Sequence, residues 1–170
     1  QFRDPTVSHS RLRVPRWVRS ELEKHLVLCY TGKSRVSGNI IDTVMGAYER
    51  GEKKTVGALH RLKEIAEEMK SVLVTGDVAR FAALLQENWE NQKRLDASVT
   101  TPQIDKLFEV AQGAGAIGGK ALGAGGGGCA LFLADDNREH EVRKALQSQG
   151  VQIIDFNFED IGLQTWTVNR

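Results

Sequence analysis

Five of the six residues at 123–128 are glycine, namely Gly123, Gly125, Gly126, Gly127 and Gly128, with Ala124 the exception. Lys120 stands three residues ahead of the run, and the apolar segment Cys129–Ala134 follows it directly. Ordered glycine is entropically costly, so such a cluster needs a physical reason. Either the chain turns through positive φ while lying close to another backbone, or side-chain-free amides form a concavity for an anion, phosphate being the first to consider. A flexible linker is the plain alternative. Linkers are flanked by polar residues, however, whereas this run enters a strand-like segment. Lys120 reads equally as a cation for that anion or as a solvated lysine at a turn.

A second group of polar side chains follows the apolar run Leu26–Tyr30. Thr31, Lys33, Ser34, Arg35 and Ser37 supply hydroxyls and cations that can grip a phosphate or sugar hydroxyls. An arginine fork suits a substrate that already carries a phosphate, because it binds two oxygens at once. The alternative is a polar turn with Ser37 capping the next helix. Lys93 lies one helical turn after Trp89 and is a further candidate. Trp89 itself reads as core rather than as a platform for a sugar, and Thr100 and Thr101 read as helix caps.

Several tempting patterns fail. Gly113, Gly115 and Gly118 spell G-x-G-x-x-G, but that fingerprint needs a strand before it and a helix after it, and the sequence suggests the reverse. Gly32-Lys33-Ser34 lacks the earlier glycine of a phosphate-binding P-loop, since Val27 occupies its place. His9, His25, His60 and His140 have no metal-ligand spacing. Cys29 and Cys129 sit in apolar runs and behave as small hydrophobes, which fits a cytoplasmic protein. No metal ligand and no catalytic residue is assigned within this chain.

The elements that must position these groups follow from composition and periodicity. With 170 residues, 41% hydrophobic and 26% charged, the chain has enough apolar mass for one domain with a real core. A net charge of +1 argues against nucleic acid or a membrane as a general partner. Five arginines among the first 19 residues form a local basic patch, read as a solvated face or an edge that packs on other protein. Gln1 is not an initiator methionine, so the chain is read as part of something longer. Leu26–Tyr30 is a strand, and helical spacing follows over 40–48, 56–73, from Asp77 to about Trp89, and after Thr101-Pro102. Cys129–Ala134 is a second strand, a helix capped by Asp136 or Asn137 ends at Gly150, and 151–158 and 163–168 are expected to close the chain as two more strands. This is an α+β layout, with an antiparallel sheet, inserted helices and the look of a ferredoxin-like split βαβ.

Gly123-Ala-Gly-Gly-Gly-Gly128 before an apolar strand resembles the third conserved motif of the GHMP kinases, the superfamily of galactokinase, homoserine kinase, mevalonate kinase and phosphomevalonate kinase. Tyr30-Thr-Gly-Lys-Ser-Arg35, Asn88-Trp89 with Lys93 and Leu95, and Thr100-Thr-Pro-Gln-Ile-Asp105 resemble its sugar-kinase branch of heptose 7-phosphate and fucose kinases. The resemblance implies that 26–170 is a C-terminal kinase domain and that 1–25 is a basic segment leading from an N-terminal domain. The phosphate-wrapping loop, the Mg-binding acid and the catalytic aspartate of the family have no match in these 170 residues. ATP and Mg2+ are therefore implied as cofactors bound mostly by that N-terminal domain. Lys120, Gly123, Ala124, Gly125, Gly126, Gly127 and Gly128 are implied on the cofactor side, and Thr31, Ser34, Arg35, Ser37 and Lys93 on the substrate side. A sugar or sugar phosphate, an N-terminal kinase domain in cis and a possible homodimer are the implied partners. Two alternatives stay open: a regulatory module that binds a small anion, and a GHMP kinase for fucose, mevalonate or homoserine.

Overall fold

The computed structural model describes residues 2–3, 5–32 and 38–168. Its elements in chain order are β1 (Phe2–Arg3), β2 (Thr6–Val7), α1 (Arg16–His25), β3 (Leu26–Tyr30), α2 (Gly38–Glu49), α3 (Lys53–Thr75) and α4 (Val78–Lys93). A 3-10 turn (Ala97–Val99), α5 (Pro102–Gly113), β4 (Ala116–Ala121), β5 (Cys129–Ala134), α6 (Glu139–Gln147) and β6 (Gln152–Ile154) complete them. β1 and β2 form a short separate hairpin, and the other four strands make one sheet in the order β4-β5-β3-β6. Every neighbouring pair in that sheet is antiparallel. β3 and β4 thus run parallel with β5 between them, and β5 and β6 run parallel with β3 between them. These are two interleaved split βαβ units, so the ferredoxin-like expectation holds.

The near-continuous apolar character of β3 and β5 follows from helices on both faces of the sheet. Val27, Cys29, Ala130, Phe132 and Ala134 pack with Leu107, Phe108, Ala111, Val142 and Leu146 of α5 and α6. The alternate positions Leu26 and Leu133 pack with Val18 and Leu22 of α1 and Ala82 of α4. Trp89 is 1% exposed and stacks on Phe108, with ring centroids 5.1 Å apart, so it is core as expected. Gly76 closes α3 in the left-handed conformation, and the Asp77 side chain accepts from the Arg80 amide to start α4. Thr101 caps α5 by accepting from the Ile104 amide, as its sequence position suggests. α3 is tied to α4 by Arg61, whose guanidinium meets Glu87 at 2.6 Å, Glu64 at 2.9 Å and Glu68 at 3.0 Å. These bonds raise the Arg61 pKa. The Arg80 guanidinium, with Arg61, holds Glu68 below the usual carboxylate range, and Arg61 does the same for Glu87.

Five expectations differ from the structure. α1 was not anticipated, although its Val18 and Leu22 are buried. β4 hides in a glycine-rich stretch because α4 lies against it: a Cβ on Gly118 would sit 2.1 Å from the Ala82 carbonyl oxygen. α6 starts later than Asp136 or Asn137, with Arg138 at the N-cap and Asn137 in a turn at φ 59°. The strand expected over 151–158 shrinks to Gln152–Ile154, and 163–168 forms no strand. A period-two pattern makes a strand only where an edge takes its hydrogen bonds, and 163–168 meets none among the described residues. Leu163 and Trp166 are 96% and 80% exposed there.

Candidate functional site

The glycine cluster is the loop of the β4–β5 hairpin. The pair Ala121 and Ala130 closes the ladder, and the Leu122 amide donates to the Cys129 carbonyl at 2.8 Å. Three other segments hold the loop from outside, and α5 holds one of them in turn. Gln92 Nε2 of α4 donates to the Gly123 carbonyl at 2.7 Å, and the Gly126 amide donates to the Val99 carbonyl of the 3-10 turn at 2.6 Å. The Thr31 amide, just past β3, donates to the Gly128 carbonyl at 2.9 Å, and Gln103 Nε2 of α5 donates to the Thr31 carbonyl at 3.2 Å. Gly125 is buried at φ 86°, and a Cβ there would lie 2.3 Å from the Val99 carbonyl oxygen. Close approach to another backbone is therefore one demonstrated reason for glycine here. The Gly126 amide is already committed to Val99, so the loop does not present an unbroken row of donors.

Lys120 shares the α4-facing side of β4 with Gly118. Its Nζ donates to Asn88 Oδ1 at 2.7 Å. It forms no ion pair with a carboxylate among the described residues, and desolvation holds its pKa below the usual lysine value. An open cleft of about 400 Å³ borders these groups. Ile40, Ile41, Val44 and Met45 of α2 line it, together with Asn88, Gln92, Lys120, Gly123 and Ala124. An ammonium bordered by apolar side chains attracts an anion more strongly than one in water, because local screening is weaker.

The structure brings Thr31, the 123–128 loop and Lys120 into one neighbourhood. Thr31 is buried, and its backbone links β3 to the loop. Ser34, Arg35 and Ser37, with Lys33, lie outside the described residues. Lys93 is not among the cleft residues: its Nζ is 2.9 Å from Glu90 Oε2 and 5.8 Å from the Trp89 ring centroid. Asn88 and Gln92 were missed as site residues, although their i, i+4 spacing puts both amides on one helix face. Gln92 is 8% exposed, and a buried amide in an amphipathic helix was the available signal. Cys29 is buried with its thiol pushed up to about 11, chiefly by desolvation, and both cysteines are free. His25 is buried, with ring nitrogens 2.7 Å from Glu139 Oε1 and 3.0 Å from Glu21 Oε2. Among the described residues no group of three or more His, Cys, Asp or Glu could hold a metal ion, and no helix is long and apolar enough to cross a membrane.

A family model described as GHMP kinases C terminal matches residues 57–152. The D-glycero-alpha-D-manno-heptose 7-phosphate kinase of Campylobacter jejuni is 31% identical over 157 residues, covering 92% of this chain and 46% of that protein. A mevalonate kinase of Pyrococcus furiosus is 32% identical over 135 residues, covering 76% of this chain and 39% of the relative. Among solved structures, a D-glycero-D-manno-heptose 1-phosphate kinase from Bacteriodes thetaiotaomicron superposes with a TM-score of 0.63 at 31% identity, over 94% of this chain and 40% of that one. The L. major mevalonate kinase in complex with R-mevalonate shares the fold, with a TM-score of 0.66 at 22% identity, over 73% of this chain and 38% of that one. The chain thus spans less than half the length of these relatives. With the family model covering more than half of its residues, the chain belongs to the GHMP kinases and carries their C-terminal domain.

Proposed function

We propose that this chain is the C-terminal half of a cytoplasmic ATP-dependent sugar kinase, acting on the anomeric hydroxyl of a heptose 7-phosphate or a related sugar. Residues 26–170 are its C-terminal domain, and 1–25 lead from an N-terminal domain in cis. The observation that carries this reading is Lys120, a half-buried ammonium without a carboxylate partner among the described residues, beside a glycine hairpin and an open cleft. A cation and a close-packed glycine backbone fit phosphate oxygens. ATP, when bound, supplies the phosphoryl group, with Mg2+ held mostly by the other half. Phosphoryl transfer depends chiefly on positioning and on neutralising charge spread over the phosphate oxygens. Lys120 lowers that charge. The 123–128 loop allows the nucleotide phosphates to approach the backbone, and the segment carrying Thr31, Ser34, Arg35 and Ser37 grips the acceptor, while Lys93, outside the cleft and paired with Glu90, has no part in it.

The full-length protein should phosphorylate a heptose 7-phosphate in the presence of ATP and Mg2+, and the 170-residue chain alone should not. Gly126→Val in the full-length protein should abolish activity. Turnover by the isolated chain, or an active Gly126→Val variant, defeats the assignment. A second reading is favoured by the α2 side of the cleft, where Ile40, Ile41, Val44 and Met45 offer no hydrogen bonds to sugar hydroxyls from their side chains. That lining suits a less hydroxylated anionic acceptor such as mevalonate. A panel of heptose 7-phosphate, fucose, mevalonate and homoserine separates the two by kcat/KM.

A further inference from the structure

We infer that Asn88 and Gln92 of α4 are positioning residues that keep Lys120 as an uncompensated cation for a phosphoryl group entering the α2–α4 cleft. The inference rests on the kinase reading only for the identity of the molecule that carries the phosphate. Lysine has three N–H donors and no acceptor. One donor goes to Asn88 Oδ1 at 2.7 Å, and that partner is a neutral amide. Half-buried cations are ordinarily matched with carboxylates, since an unpaired charge away from water is costly. Carboxylates are close in sequence but engaged elsewhere. Glu87 binds Arg61 at 2.6 Å, and Glu90 binds Lys93 and Gln86, each at 2.9 Å. The residue between these acids and facing Lys120 is asparagine. It orients the ammonium without cancelling its charge.

Gln92 acts one turn later on the same helix face. Its Nε2 holds the Gly123 carbonyl at 2.7 Å, fixing the chain three residues beyond Lys120 and the start of the glycine loop. The two amides together set the side chain and the backbone that border the cleft. An aspartate at 88 would keep the geometry and neutralise the cation. That separates a role in holding charge from a role in holding structure.

The test uses the 170-residue chain and inorganic pyrophosphate as the probe, followed by the NMR signals of the Lys120 side chain and the Gly123 amide. In the wild type both should move saturably. Asn88→Asp should weaken binding at least about tenfold while the thermal midpoint holds or rises, because a buried ion pair replaces the ligand as the partner of Lys120. Asn88→Ser, which keeps a neutral acceptor, should stay within about threefold of wild type. Lys120→Met should abolish the Gly123 response. Equal binding by Asn88→Asp and wild type, loss in Asn88→Ser as deep as in Asn88→Asp, or no saturable response in the wild type overturns the inference. Competition by a non-hydrolysable ATP analogue assigns the phosphoryl group to the nucleotide, and competition by a sugar phosphate assigns it to the acceptor. Pyrophosphate binding that neither displaces supports the site and counts against the kinase reading.

Discussion

Replacing Gly125 by alanine separates two costs that the hairpin imposes on a side chain. At φ 86° an L-residue is in the left-handed region, and a Cβ would also lie 2.3 Å from the Val99 carbonyl oxygen and 2.9 Å from Val99 Cγ1. The conformational part costs about 1–2 kcal/mol. Forcing a methyl against a backbone atom that cannot rotate away adds about 1–3 kcal/mol. Alanine recovers roughly 0.4–1 kcal/mol by reducing the freedom of the unfolded chain. The net loss is then about 2–4 kcal/mol, or about 4–16 °C in thermal midpoint for a domain of this size. Gly123 supplies the control: its φ is 75°, but a Cβ there has no atom within 4 Å. Gly123→Ala should lose only about 1 kcal/mol, from the conformational part alone. Urea unfolding followed by far-UV circular dichroism measures both. If Gly125→Ala is no less stable than Gly123→Ala, contact with Val99 does not explain the glycine.

The remaining predictions concern the core and the charges. Trp89→Ala removes the ring stacked on Phe108 and should cost about 3–5 kcal/mol in urea unfolding, the range for large aromatic deletions. Cys29 has its thiol raised from 9.0 to about 11, so the folded state favours the neutral form. Its contribution is present below pH 9 and fades as pH rises towards 11; two units correspond to about 2–3 kcal/mol. Urea midpoints of wild type and Cys29→Ala measured across that interval should therefore converge, since the alkaline loss common to both proteins cancels. Glu68 and Glu87 are held low by Arg80 and Arg61, so their contribution is present above the ordinary carboxylate range and is lost as pH falls through it. Arg61→Met should flatten that acid slope in urea midpoints measured from about pH 6 to pH 3, and a slope equal to wild type refutes the assignment.

What the sequence disclosed depended on whether the cause was local. The helices α3, α4 and α5 carry their own punctuation in Gly76, Asp77 and Thr101-Pro102, and each cap works within a few residues of where it is written. β3 and β5 were legible because helices on both sides make them apolar throughout. β4 was not, since its Gly118 answers to α4, a helix some 35 residues away in the chain, and only the approach of the Ala82 carbonyl explains it. The expected strand at 163–168 failed for the opposite reason, having the pattern of a strand but no partner strand among the described residues.

The site divides along the same line. A glycine cluster announces that something approaches closely, and the structure identifies Val99 as one such neighbour at Gly125. The sequence could not show that the Gly126 amide is spent on that same residue, and this moves the weight of anion recognition from the loop to Lys120. Nor could it show that Lys120 has no carboxylate partner among the described residues. In the sequence Asn88 stands next to Glu87 and close to Glu90, but in the fold Arg61 and Lys93 hold those two acids. A charge left without a counter-charge is a property of the whole arrangement. Replacing Asn88 by aspartate, a change of one amide to one carboxylate, is therefore the smallest perturbation that would silence the site while leaving its geometry standing.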